Sequence, residues 1–221
     1  MMKDGDKGAV QQKDGSYAIV PHFPLGLITP ADLRNVADVD ERYKVPILKI
    51  TSAARLAMVG FKEEDLEPAW QELNPGVGHA VGLCVRSIKA CPGTTVCRLG
   101  KQDALGLGLA LDERFHGFAL PNKCKMGVSG CMNNCAETPI KDLGFVGKKD
   151  GWTVLVGGNA ASRPQLAVEL CQGLSQAESL DLAEKILHYF KENGKKSERL
   201  GRFIDRIGFD SFKAAVWPDA S

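Results

Sequence analysis

The sequence predicts an α+β fold in two lobes. Three observations carry that expectation. The first third of the chain reads strand, helix, strand, strand, helix; the composition shifts after the glycines at Gly76 and Gly78; and a second series of strands and helices follows, threaded by cysteines.

The first elements read as follows. Residues 1–16 are polar and are expected to form a flexible arm. Tyr17 to Pro21 is short and β-prone. Thr29-Pro30-Ala31-Asp32 starts a helix, with a threonine cap, proline at the first helical position and acid in the first turn; it should run to about Tyr43. Val45 to Thr51 and Arg55 to Val59 read as strands. Lys62-Glu63-Glu64-Asp65 opens a second helix, which ends near Asn74-Pro75-Gly76. This order fits an antiparallel sheet with helices on one face, a lobe placed at residues 17–76.

The second lobe is placed at residues 77–221. Gly82 to Ile88 is expected to be a strand that delivers the chain to Cys91, and a helix is expected over Cys97 to Arg114. Lys123 to Ser129 is a strand, and Cys131 begins a short helical turn. Leu143 to Val146 and Trp152 to Val156 form a hairpin around Lys148-Lys149-Asp150-Gly151, where Asp-Gly is a strong turn signal. Arg163-Pro164 is read as a helix start. Leu180 to Asn193 has helical spacing and stops at Gly194, and Ser197 to Phe212 is a further amphipathic stretch.

Composition narrows the function classes. The chain has 221 residues, a formal net charge of +1, 44% hydrophobic and 25% charged residues. That is ordinary globular composition, and the balanced charge gives no case for nucleic acid or an acidic membrane surface. No apolar run approaches the length that spans a bilayer, and the polar N-terminus has no signal-peptide core, so a cytoplasmic protein is expected. Seven cysteines in a chain of this kind point to thiolates held for metal or redox work rather than to a disulfide framework.

Four of the seven form two pairs, Cys91-Pro-Gly-Thr-Thr-Val-Cys97 and Cys131-Met-Asn-Asn-Cys135. The second pair is spaced i, i+4, which puts both thiolates on one face of a helical turn. Pro92-Gly93 keeps the first pair in a loop. Four thiolates suit an iron–sulfur cluster, and Thr94, Thr95, Asn133 and Asn134 are placed to hydrogen-bond its sulfurs. Zinc also takes four thiolates, although structural zinc sites favour C-x2-4-C spacing at both ends. Cys84, Cys124 and Cys171 are read as buried cysteines, Cys171 in an apolar helix stripe.

Basic residues flank the cysteines. Lys123 and Lys125 alternate along one strand, share a face, and run directly into Gly130-Cys131. Arg86 precedes Cys91 on another strand. Gly157-Gly158-Asn159, running on to Arg163, reads as a glycine-led strand-to-helix turn whose N–H groups could meet an anion. Each is ordinary alone. Together they suggest a strongly anionic cofactor or substrate beside the cysteines.

At this point the chain resembles the siroheme-containing sulfite and nitrite reductase family. The resemblance rests on Ala-Cys-Pro-Gly at Cys91, Gly-Cys-x-Asn-x-Cys-Ala at Cys131, Lys123-Cys124-Lys125, Asp142-Leu143-Gly144-Phe145-Val146 and the Gly-Gly-Asn turn. Pro24-Leu25-Gly26-Leu27-Ile28-Thr29 and Leu48-Lys49-Ile50-Thr51-Ser52 resemble the family's ferredoxin-like half-domain more loosely. The larger enzymes carry two copies of this lobe pair, so the chain is most similar to the compact, stand-alone assimilatory-type sulfite reductases.

The resemblance implies a ferredoxin-like half-domain followed by an α+β domain holding siroheme and a 4Fe-4S cluster. It implies Cys91, Cys97, Cys131 and Cys135 as cluster ligands, with Cys135 bridging to siroheme iron. Arg86, Lys123 and Lys125 would face the substrate; Gly158, Asn159, Arg163 and nearby N–H groups would hold siroheme carboxylates. An arginine usual in the first lobe is replaced at Ala53, and Arg55, two residues on and on the same strand face, is the candidate substitute. The implied activity is six-electron reduction of sulfite to sulfide, with nitrite to ammonia as a second substrate. No flavin or nicotinamide motif is present, so electrons would come from a separate donor such as a ferredoxin. A cluster-only electron carrier and a zinc-stabilised module are the rivals; the oligomeric state is open.

Overall fold

The computed structural model describes residue 5 and residues 8–218. They fall into two units that meet at Gly82 and Leu83.

The first unit is built on an antiparallel sheet of four strands, β1 (Ala9–Gln11), β2 (Tyr17–Ile19), β3 (Ile47–Ile50) and β4 (Leu56–Phe61), in the order β1-β2-β4-β3. Helix α1 (Pro30–Tyr43) joins β2 to β3, and α2 (Leu66–Glu72) follows β4. The cap expected at Thr29 is a full capping box: its hydroxyl accepts the Asp32 N–H at 3.2 Å, and the Asp32 carboxylate accepts the Thr29 N–H at 2.9 Å. Val36 and Val39 on α1 pack into a core with Ile19, Met58 and Phe61.

Two expectations for this unit are corrected. Residues 9–16 are not an arm but a hairpin with β2. Asp14 accepts the Ser16 N–H and hydroxyl, and Gly15 takes a positive φ, so Asp14-Gly15 makes the turn. Ala53 and Arg55 do not share a strand face. Thr51 to Arg55 is a tight turn with Ala54 at φ +54°, closed by the Thr51 N–H donating to the Arg55 carbonyl.

The second unit centres on a five-stranded mixed sheet: β5 (Val85–Ala90), β6 (Cys124–Ser129), β7 (Leu143–Lys148), β8 (Gly151–Val156) and β9 (Val168–Leu174), side by side in that order. β5, β6 and β7 are parallel; β8 and β9 are antiparallel to their neighbours. Helix α3 (Ala104–Phe115) crosses from β5 to β6. Helices α4 (Gln176–Asn193), α5 (Leu200–Ile207) and α6 (Phe209–Val216) close the chain. Cys124, Met126 and Val128 alternate along β6 into the core, which leaves Lys123, Lys125 and Gly127 for the opposite face.

Two readings of this unit differ from expectation. Helix α3 begins at Ala104, capped by Asp103, because the backbone N–H groups of Lys101 and Gln102 donate to Gly130 instead of to a helix. No helix starts at Arg163-Pro164. The chain turns back into β9, where Leu170 and Leu174 are buried. Cys171 is therefore a half-buried strand residue rather than part of a helical stripe.

Candidate active site

Cys91 and Cys131 come to one edge because β5 and β6 are parallel. Their carboxyl ends coincide, and that is where open α/β sheets hold ligands. Cys91 follows β5 directly and donates its N–H to the Val128 carbonyl at 3.0 Å; Cys131 lies two residues past β6. The 91–102 loop folds onto this edge through Lys101 and Gln102, whose N–H groups reach the Gly130 carbonyl at 2.7 and 3.1 Å. The approach is so close that a Cβ on Gly130 would lie 2.6 Å from the Gly93 Cα. Gly130 also donates its N–H to the Cys91 sulfur at 3.1 Å.

The expected helical turn between Cys131 and Cys135 is absent. Asn134 sits at φ +53°, and two successive turns replace it: Asn134 N–H to the Cys131 carbonyl, then Glu137 N–H to the Asn134 carbonyl. The Asn134 side chain accepts from the Thr138 hydroxyl, while the Thr94 and Thr95 N–H groups are taken by the carbonyls of Gln102 and Pro92. Asn133, Cys97 and Cys135 are exposed, and Cys91 and Cys131 are half-buried. Among the described residues, no three His, Cys, Asp or Glu side chains converge to hold a single metal ion.

A basic face adjoins the cysteine edge. β5 carries a bulge opposite β6: Val85 pairs with Cys124 and Ser87 with Lys125, so Arg86 is the extra residue. Bulges re-aim side chains beside functional sites. On β6 and β7, Gly127 and Gly144 lie side by side without side chains. A Cβ on Gly127 would lie 2.9 Å from the Ala136 carbonyl and the Lys141 side chain; one on Gly144 would lie 2.7 Å from the Thr138 carbonyl. The 136–141 segment thus lies flat on the sheet and brings Lys141 in beside Lys125. Lys141 bonds the Glu137 carboxylate at 2.9 Å, which Lys89 also approaches at 3.4 Å.

Beneath this face lies a charge that sequence reasoning missed. Asp142, 0% exposed, accepts the Lys125 N–H at 2.8 Å and both arms of the Arg199 guanidinium at 2.9 and 2.7 Å. The available signal was an aspartate opening an otherwise apolar strand. Its partner, Arg199, lies 57 residues on and carries no local mark. Burial pushes the Asp142 carboxyl above its ordinary pKa, opposed by Arg199 and the Lys125 N–H. Burial lowers Lys125, and Lys123, Lys141 and Arg199 lower it further against the pull of Asp142. Arg86 is also lowered, first by burial, with Cys84 opposing and Arg199 adding to it. These cations face one another across a half-buried surface, which an anion would relieve.

The remaining predicted residues are more scattered. The Asn159 side chain closes its own loop: its amide donates to the Arg163 carbonyl and its carbonyl accepts the Ala161 N–H, each at 2.9 Å. Gly158 packs against 139–141, where a Cβ would lie 2.5 Å from the Lys141 carbonyl, and Arg163 is exposed. This loop joins two strands, so the helix N-terminus expected there is missing. Arg55 belongs to the first unit, where it donates to the His79 carbonyl at 3.0 Å.

Residues 81–220 match the nitrite and sulphite reductase 4Fe-4S domain, and residues 10–76 match the nitrite/sulfite reductase ferredoxin-like half domain. The chain belongs to the nitrite and sulphite reductase family. It is 46% identical to the assimilatory-type sulfite reductase of Nitratidesulfovibrio vulgaris, over 97% of this chain and 99% of that one. It is 38% identical to the NAD(P)H nitrite reductase of Bacillus subtilis over 93% of its own length, but spans only 26% of that larger protein. Among solved structures, dissimilatory sulfite reductase I shares the fold with a TM-score of 0.83 and 16% identity, over 91% of this chain and 69% of that one. Mycobacterium tuberculosis NirA does so with a TM-score of 0.80 and 19% identity, over 96% and 42%.

The reductase is thus an enzyme of the sulfite/nitrite type, with a 4Fe-4S cluster and siroheme as cofactors. Its residues fit both groups. Cys91 and Cys131 follow two neighbouring parallel strands, with the Gly130 N–H already on the Cys91 sulfur, and an excess of cations beside them suits a macrocycle rich in carboxylates.

Proposed function

We propose that the reductase carries out the six-electron reduction of sulfite to sulfide, with nitrite to ammonia as a second reaction, in its 77–221 lobe. One observation carries the reading: β6 carries Lys125, with Lys123 one residue before it, and ends two residues before Cys131, so charge suited to an oxyanion and a candidate redox ligand are linked by one strand.

Cys91, Cys97, Cys131 and Cys135 would hold the cluster, Cys135 would also help to hold siroheme, and Arg163 with the N–H groups near Gly158 would meet siroheme carboxylates. Cluster and siroheme, when bound, would supply the one-electron chemistry. In the balanced reaction, six electrons and seven protons convert sulfite to hydrosulfide and three waters. Arg86, Lys123 and Lys125 bind sulfite and polarise its S–O bonds, and each oxygen leaves as water once protonated. Lys125 is the favoured proton donor, because burial and like charges make its ammonium more acidic than usual. Asp142 and Arg199 hold the Lys125 backbone and the 141–142 segment in place from below.

The test is oxidation of reduced methyl viologen by the anaerobic holoenzyme. Six viologen radicals should be consumed per sulfide formed. Viologen oxidation that stays at the no-substrate rate with both sulfite and nitrite would sink this reading.

A further inference from the structure

Cys135 differs from the other three motif cysteines in what holds it. Cys91 donates its N–H to the Val128 carbonyl at 3.0 Å. Cys97 donates to the Gly93 carbonyl and accepts from the Gly100 N–H, each at 3.0 Å, and Cys131 accepts from the Asn134 N–H at 3.3 Å. Those bonds run from backbone to backbone. At Cys135 both flanking peptides are also bonded, but one of them to a side chain. The peptide before it is held through the Asn134 carbonyl, which accepts the Glu137 N–H at 2.8 Å. The peptide after it is held through the Ala136 N–H, which donates to the Ser129 hydroxyl oxygen at 3.0 Å.

Ser129 ends β6, and both it and Ala136 are 1% exposed. Period-two geometry puts Ser129 on the face of Lys125 and Gly127. Ala136 is thus fixed twice, by its N–H on Ser129 and by its carbonyl packed over Gly127. Around it the chain is held in uncommon conformations. Asn134 and Glu137 take φ +53° and +57°, in the left-handed region. Such residues persist where their surroundings over-determine them, and they gather at functional sites. Here buried Thr138 donates its hydroxyl to the Asn134 side chain, and Lys141 and Lys89 hold the Glu137 carboxylate.

We infer that Ser129 is a positioning residue: through the Ala136 N–H it fixes Cys135, and with it the sulfur that cluster and siroheme would share. Thr138 supports the same turn through Asn134. The inference rests on the reading above, in which Cys135 serves both groups, and it names the side chain that decides where that cysteine stands. An apolar residue at 129 would leave the Ala136 N–H buried without an acceptor, and the 134–138 turn would shift to find one.

The experiment uses holoenzyme enriched in Mössbauer-active iron. Two quantities are read: the rate at which siroheme leaves the diluted protein, and the magnetic splitting that a paramagnetic siroheme iron imposes on cluster iron through a shared sulfur. Wild type should show the splitting. Ser129→Ala should raise the rate about tenfold and lose part of the splitting, as expected when a buried donor loses its acceptor, with iron per chain unchanged. Ser129→Thr keeps the hydroxyl and should stay within about twofold of wild type. Ser179→Ala is the control. It removes a serine hydroxyl on α4, bonded to the Ser175 carbonyl at 2.8 Å, from a residue 0% exposed, and should move neither readout. If Ser129→Ala gives no folded holoenzyme, Thr138→Val carries the test; it keeps the side chain's shape, removes the hydroxyl, and should raise the rate about threefold. Wild-type rate and splitting in both Ser129→Ala and Thr138→Val overturn the inference. So does an equal change in Ser129→Ala and Ser179→Ala, because the effect would then be general loosening. Cys135→Ser separates the two levels of the argument. Wild-type splitting in that variant removes Cys135 as the shared ligand and the role of Ser129 with it. Lost splitting there, beside an unaffected Ser129→Ala, strikes the positioning role alone. A wild-type protein that shows the splitting yet reduces neither oxyanion strikes the function proposed above and leaves the role of Ser129 to the variants.

Discussion

Replacing Asp142 by asparagine should destabilise the protein more than any conservative change at its surface. The carboxylate is 0% exposed and accepts three hydrogen bonds, two from Arg199 and one from the Lys125 backbone. An asparagine keeps one acceptor and turns an NH2 toward a guanidinium, so the Arg199 pair is lost and a cation is left with little solvent. Removing one partner of a buried pair costs about 3–5 kcal/mol. With a urea slope of about 2–3 kcal/mol per molar, the midpoint should drop by about 1–2 M. Arg199→Met leaves the other half of the pair. Asp142, already raised by burial, then loses its main opposing charge and rises further. The folded state would hold a proton that the unfolded state releases near pH 4, so stability is kept below that pH and lost as pH rises toward the folded pKa. The deficit of Arg199→Met relative to wild type should therefore widen with rising pH and then level off. Anaerobic urea titrations of both variants at several pH values read this directly. An Asp142→Asn midpoint within about 0.3 M of wild type would show that the pair contributes little and that the basic face needs no buried counter-charge.

The site itself makes three further predictions. Lys125→Ala should lower sulfite turnover about a hundredfold or more while leaving the cluster's absorbance intact, whereas a cluster-only carrier would keep its full function; because the Lys125 pKa is held down, bound sulfite should raise it again, so sulfite binding takes up a proton on the alkaline side and the variant loses that uptake in calorimetry across buffers. Gly130→Ala drives a Cβ to 2.6 Å from the Gly93 Cα and should cost about 1–3 kcal/mol, with iron content per chain falling as the two cysteine loops part. Cys135→Ser should lower bound iron, whereas Cys171→Ser, on β9 with its thiol pushed up to about 11 by burial, should leave both iron and spectrum unchanged.

Much of this architecture was legible because its signals are local. Thr29-Pro30-x-Asp32 names a helix start by supplying both halves of a capping box, and Asp150-Gly151 names a hairpin by supplying a positive φ at Gly151. The alternation Lys123-Cys124-Lys125 separates a buried thiol from a basic face because a strand has period two, whatever surrounds it. What failed were readings in which a local pattern competes with contacts made elsewhere. The i, i+4 spacing of Cys131 and Cys135 suits a helix, but the 136–141 segment must lie across Gly127 and Gly144, and the chain reaches it through a left-handed Asn134. Arg163-Pro164 suits a helix start, yet the residues after it pair with β8 and bury Leu170 and Leu174. The Asp142–Arg199 pair was invisible for the same reason: neither residue has a partner nearby in sequence, and only the packing of α5 against the sheet brings them together.

That pattern bears on how such a site stays in register. The cysteines and the lysines arise from short motifs, but nothing within those motifs fixes the distance between them. Three contacts over glycine do so here: Gly93 on Gly130, the Ala136 carbonyl on Gly127, and the Lys141 carbonyl on Gly158. Each is a backbone approach that any side chain would block, so each tolerates little slack. Asp142 then ties the same segment to β6 at the Lys125 N–H and to α5 at Arg199. The cysteine loops and the basic face are thus joined by backbone contacts and one buried ion pair rather than by long, mobile side chains. The proposed reaction, in which one bound atom is protonated and reduced repeatedly, would need that rigidity, since misplacement by about 1 Å can cost a hundredfold in rate.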